Sequence, residues 1–135
     1  CHPFQHGRLL WMHNGSIKEF SKIKRTLRNS LRDDLYQWIQ GTTDSEHAFA
    51  VFLNQFPVEK TTFTKEELET GIRKTIEQLN TWTREAGVEL GCVYNFVISD
   101  GNSIVATRYS SKKKKPMLLS TMQLVANIIV KTKFA

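Results

Sequence analysis

The stretch Arg8-Leu9-Leu10-Trp11-Met12-His13-Asn14-Gly15-Ser16-Ile17 constrains this chain more than any other. Four bulky apolar residues in succession give way to a polar tripeptide, and an amphipathic pattern follows. That order predicts a strand buried on both faces, then a turn, then a helix. Asn14 and Gly15 are residue types that tolerate positive φ and leave a backbone amide uncovered. An uncovered amide beside a carboxamide can bind an oxyanion, so the pair is a candidate site; read as an ordinary Asn-Gly turn, it has no chemical role.

Ser16-Ile17-Lys18-Glu19 has capping-box spacing, which places a helix start immediately after the turn. Ile17, Phe20, Ile23, Leu27 and Leu31 recur at helical intervals, and Lys18, Lys22, Lys24, Arg25, Arg28 and Arg32 fill a solvated opposite face. Leu35 to Ile39 reads as a short buried strand or turn. Thr43-Asp44-Ser45-Glu46 repeats the capping pattern before a run, His47 to Leu53, so apolar that it belongs inside the domain. Asp44 therefore stands at a helix start, where a carboxylate complements the first-turn amides. Thr64-Lys65-Glu66-Glu67 opens a third and longer helix, with Leu68, Ile72, Ile76, Leu79 and Trp82 on its buried stripe and Gly87 as its stop. Cys92 to Ser99 and Asn102 to Tyr109 flank Asp100-Gly101 and should pair as adjacent antiparallel strands. Cys1 to Gly7 reads as a loop.

Charge does not identify a nucleic-acid binder. The net charge is +6, but Lys112 to Lys115 supply four of those charges, and the remainder of the chain carries only +2. No basic face with interleaved aromatics accompanies that run, so no nucleic-acid partner is expected. Met117 to Val130 is the most apolar stretch, yet its 14 residues include Ser120, Thr121, Gln123 and Asn127. It falls short of the roughly 20 residues that span a bilayer, so no membrane partner is expected either. Two cysteines, Cys1 and Cys92, make neither a disulfide framework nor a ligand pair, and no signal-peptide pattern opens the chain, which together suggest a cytoplasmic setting. Cys1, His2, His6 and His13 lack a recognised zinc spacing; no metal and no cofactor is expected. Cys92 reads as a small buried hydrophobe.

Cys1-His2-Pro3-Phe4, Trp11-Met12-His13-Asn14-Gly15 and Gly41-Thr42-Thr43-Asp44-Ser45-Glu46-His47-Ala48-Phe49-Ala50, in that order, resemble the class II (type 2) glutamine amidotransferase domain of the N-terminal-nucleophile hydrolases. Within that family the stretches Trp11 to Gly15 and Gly41 to Ala50 look like the fungal glutathione-degradation amidotransferase subunits. The resemblance implies an α/β (α+β) fold, part of a four-layer αββα sandwich with mainly antiparallel sheets. It implies that Asn14 and Gly15 form an oxyanion hole and that His2 and Asp44 line the substrate pocket, Asp44 facing the α-ammonium of glutamine. The implied substrate is glutamine or a γ-glutamyl peptide, with a metallopeptidase-like partner subunit.

Cys1 matches the residue before His-Pro in an internal loop of the family, not the nucleophile. The nucleophilic cysteine is therefore expected upstream, and the chain is expected to be an internal portion of the domain that is inactive by itself. On this reading residues 1–109 are the middle of the amidotransferase domain, and residues 110–135 are a basic linker and an apolar tail without a match. The alternative is a non-catalytic binding or assembly module of the same fold. A Met-Cys start followed by a strand would distinguish the enzyme from that module.

Overall fold

The computed structural model describes residues 3–88, 92–110 and 121–125. Five strands, β1 (Phe4–His6), β2 (Leu9–Ser16), β3 (Val93–Ser99), β4 (Ile104–Ser110) and β5 (Thr121–Val125), form one sheet in the order β1-β2-β3-β4-β5. Every neighbouring pair is antiparallel. Four helices, α1 (Lys24–Ser30), α2 (Asp33–Trp38), α3 (Asp44–Leu53) and α4 (Lys65–Glu85), lie between β2 and β3 in sequence. The expected α/β class with an antiparallel sheet is present; the described residues form one sheet and one helical layer.

β2 corrects the first expectation. Leu9, Trp11 and His13 are buried, whereas Leu10 and Met12 are 40% and 48% exposed. The four apolar residues alternate between a helix-covered face and an open one, as a pleated strand requires. Trp11 anchors the covered face, its ring stacked on Phe49 of α3 at 5.2 Å and tilted against Phe96 of β3 at 4.6 Å. Tyr94 continues the ladder, 5.5 Å from Phe96 and 5.3 Å from Tyr109 of β4. Burying an aromatic side chain of this size removes about 150 to 250 Å² from water, worth about 4 to 6 kcal/mol by area.

The strand also runs further than its polar tripeptide suggests. Asn14, Gly15 and Ser16 pair with Asn95, Tyr94 and Val93, so they are strand residues and not a turn. Ser16 is thus extended, and its expected capping box does not form. Glu19 instead adopts the left-handed conformation (φ 52°) and pairs with Lys22 at 2.8 Å, leaving a single 3-10 turn, Phe20–Lys22, before α1. The apolar stripe survives this break: Ile17, Ile23, Leu27 and Leu31 are all buried.

Two further expectations are corrected. Phe4 to His6, read as loop, forms β1, with Phe4 opposite Trp11 and His6 opposite Leu9. A three-residue strand is too short for alternation to reveal it. Leu35 to Ile39, read as strand or turn, lies mostly in α2, whose first turn holds Asp33 and Asp34 where carboxylates favour a helix start.

The remaining helices match their patterns. Thr64 Oγ1 accepts from the Glu67 amide at 3.1 Å and Glu67 accepts from the Thr64 amide at 2.9 Å, a complete capping box at the start of α4. Its stripe of Leu68, Ile72, Ile76, Leu79 and Trp82 is buried. At Gly71 the helix passes so close to α3 and the residues after it that a Cβ would lie 2.8 Å from the rings of Phe52 and Phe56. Asp100 serves the β3–β4 turn, accepting from the amides of Asn102 and Ser103 at 2.8 and 2.7 Å. Cys92 is buried, as expected of a small hydrophobe. β5 falls within the apolar tail, while the expected linker around Lys112 to Pro116 lies outside the described residues.

Candidate functional site

The C-terminal end of β2 and the N-terminal end of α3 meet. The Ile17 amide, first beyond the strand, donates to Asp44 Oδ2 at 2.8 Å. That bond takes the place of the missing cap after Ser16 and fixes Asp44 beside the Asn14-Gly15 segment across 27 residues of sequence. The other carboxylate oxygen has no hydrogen-bond partner among the described residues, and the side chain is half-buried.

Thr43 caps α3, its Oγ1 accepting from the Glu46 amide at 3.3 Å. Glu46 does not complete the expected capping box. Its carboxylate turns to the preceding loop and accepts from the amides of Gln40 at 3.2 Å and Gly41 at 2.7 Å. Glu46 thereby holds the approach to the helix, while Asp44 remains available on the first turn.

His47 ties the same turn to α1. Its Nδ1 donates to the Thr43 carbonyl at 2.6 Å, so Nε2 is the acceptor for Arg28 Nε at 2.9 Å. Burial holds its pKa below the ordinary 6.5; Arg28 and Lys24 push the same way, against the Thr43 carbonyl and Glu46. The imidazole is therefore neutral at pH 7.

Gly15 could not be another residue. Its φ is 143°, and a Cβ built on it would fall 2.4 Å from the Val93 carbonyl oxygen of β3. Asn14 and Gly15 are exposed, and since His13 faces the helices, Asn14 projects from the open sheet face with Leu10 and Met12. Asn14 and Asp44 thus approach the end of β2 from opposite sides of the sheet. A cavity of about 190 Å³, lined by Gly7, Leu9, Leu53, Phe56 and Phe63 among others, lies at the other end of β2 and α3 and is remote from them.

Of the four candidate residues, Asn14, Gly15 and Asp44 are brought to one end of the molecule. His2, like Cys1, lies outside the described residues. The sequence reading missed His13 and Ser45 as structural partners: His13 Nδ1 and Ser45 Oγ are 3.1 Å apart, with His13 Nε2 3.0 Å from the Val93 carbonyl. The alternation of β2 held a signal, since it places His13 on the face of Trp11. Among the described residues no group of three or more His, Cys, Asp or Glu side chains could hold a metal ion.

The family described as class-II glutamine amidotransferases matches residues 1–124. The chain belongs to the class II glutamine amidotransferases. This family match runs beyond Tyr109, where the motif resemblance ended, and takes in most of β5. A curated amidotransferase relative, the probable glutamine amidotransferase DUG3 of Saccharomyces cerevisiae, is 37% identical over 124 residues, covering 84% of this chain and 35% of the yeast protein. A solved structure of a glutamine aminotransferase class-II domain protein from Silicibacter pomeroyi matches with a TM-score of 0.71 at 28% identity, covering 86% of this chain and 49% of that one. The amidotransferase chain described here therefore spans about a third to a half of the length of these relatives. No helix among the described residues is long and apolar enough to cross a membrane.

Proposed function

We propose that the intact protein carrying this chain cleaves the side-chain amide of glutamine or of a γ-glutamyl peptide such as glutathione, through a cysteine thioester. The observation that carries the reading is the 2.8 Å bond from the Ile17 amide to Asp44, which sets a carboxylate beside the Asn14-Gly15 strand end. A thiolate from the segment upstream of Cys1 attacks the amide carbon, and the electron pair of the carbonyl moves onto its oxygen. The Asn14 carboxamide and the Gly15 amide donate to that oxyanion. Collapse breaks the C–N bond, and the departing nitrogen leaves as ammonia or as the peptide amine after taking a proton. Water then attacks the γ-glutamyl thioester through a second oxyanion, releasing the γ-carboxylate and restoring the thiol.

In this reading the free oxygen of Asp44 takes the α-ammonium of the substrate, and His2 contributes to the pocket wall. The family resemblance further suggests a metallopeptidase-like partner subunit, and two cysteines that make no disulfide framework suggest a reducing, cytoplasmic setting. Neither a cofactor nor a metal has a part in the steps proposed.

The test is to assay the intact protein for ammonia and glutamate with glutamine and with glutathione, beside its Asp44→Asn variant. Loss of the ammonium's counter-charge weakens ground state and transition state alike, so KM should rise about tenfold or more while kcat changes less. Wild-type protein that releases neither product would refute the enzyme and favour a binding module. An Asp44→Asn variant with unchanged KM would remove Asp44 from the pocket.

A further inference from the structure

His13 stands between the two halves of the site. Its ring is 5% exposed, rests 4.7 Å from Phe96, and reaches β3 with one nitrogen and α3 with the other. The Val93 carbonyl can only accept, so Nε2 carries a proton, while Nδ1 meets the Ser45 hydroxyl, which can donate or accept. Each contact is adjacent to a site residue. His13 precedes Asn14, Ser45 follows Asp44, and the Val93 carbonyl is the atom against which Gly15 packs too closely for any Cβ.

We propose that His13, acting through Ser45 and Val93, is a positioning residue that fixes the separation between the Gly15 amide and the Asp44 carboxylate. This inference rests on the proposed amidohydrolase reading of Asn14, Gly15 and Asp44. The Ile17–Asp44 bond ties strand end to helix start once, and the imidazole ties them a second time while also holding β3. One bond alone leaves a pivot; two bonds on opposite sides of Gly15 remove it. Fixed separation matters because the same substrate must place its ammonium on Asp44 and its reacting carbonyl at Gly15. A misplacement of about 1 Å can cost on the order of 10² in rate.

The experiment measures kcat and KM for glutamine in the intact protein for Ser45→Ala, His13→Ala, the double variant and His13→Gln, with circular dichroism and a thermal midpoint for each. Ser45→Ala should lower kcat/KM about tenfold, through both KM and kcat, and His13→Ala about 100-fold. The double variant should be no worse than His13→Ala, because both changes sever one connection. His13→Gln, whose carboxamide can both donate and accept, should recover part of the loss.

A folded Ser45→Ala variant with wild-type kcat and KM, or losses that simply multiply in the double variant, would overturn the proposal. A His13→Ala variant that lowers the thermal midpoint while keeping wild-type kinetics would make His13 merely structural. If His13→Ala does not fold, Ser45→Ala decides alone. Asn14→Ala and Asp44→Asn serve as controls: if they are silent as well, the amidohydrolase reading has failed; if they are impaired while Ser45→Ala is not, only the positioning role has.

Discussion

Gly15 is the residue at which backbone geometry leaves least freedom. At φ 143° with the Val93 carbonyl in the place of a Cβ, Gly15→Ala must displace β3 or distort β2. A strained backbone of this kind costs of order 1–3 kcal/mol before the clash is counted, so the urea midpoint should fall accordingly. Gly87→Ala, at φ 75° with nothing within 4 Å, should cost less and leave kinetics unchanged; equal losses would contradict the assignment. Sequence alone marked Gly15 through residue type, but it could not show that Asn14 stays in the strand and that only the glycine has positive φ. Pairing with Asn95, 81 positions later, decides that.

His47 gives the residue scale a pH dependence. Its folded pKa lies below the ordinary 6.5, so the unfolded chain binds more protons as pH falls through that value. The stability contributed by neutral His47 is therefore present above about pH 6.5 and is lost progressively below it. Urea midpoints at pH 7.5 and 5.5 should fall with acid, and His47→Gln should flatten the difference. An unchanged slope would place the acid sensitivity elsewhere.

Elements were legible where their stabilising interactions are local. The Thr64-Glu67 box is complete in sequence and in structure, and Thr64→Ala should cost about 1 kcal/mol with no effect on kcat. A thermal midpoint identical to wild type would contradict that. The Ser16-Glu19 box has the same spacing but never forms, because Ser16 is held in β2 by Val93 and the Ile17 amide goes to Asp44. The Thr43-Glu46 box forms by half, since the loop amides of Gln40 and Gly41 claim the glutamate. In each case a tertiary partner outcompeted the local motif. β1 and α2 were missed because three and six residues are too few to establish a period.

The whole molecule leaves one sheet face unlike the other. Trp11 and Phe96 are buried beneath the helices, while Leu10 and Met12 stand 40% and 48% exposed on the opposite face beside Asn14. We expect this face to be covered in the intact protein by the remainder of the domain, in keeping with the four-layer reading. The 135-residue chain alone should then bind a hydrophobic dye more strongly than the intact protein does, and Leu10→Ser with Met12→Ser should reduce that difference. Equal dye binding would mean that the face is not covered.

The same covering would enclose Asn14, which is exposed on that face. The most direct measurement is ammonia release from glutamine by the intact protein and its Asn14→Ala variant, with kcat and KM separated. A donor that acts mainly as the oxyanion forms predicts a fall in kcat of about 10²-fold or more with KM little changed. A variant that keeps wild-type kcat, or one that loses only KM, would contradict the account.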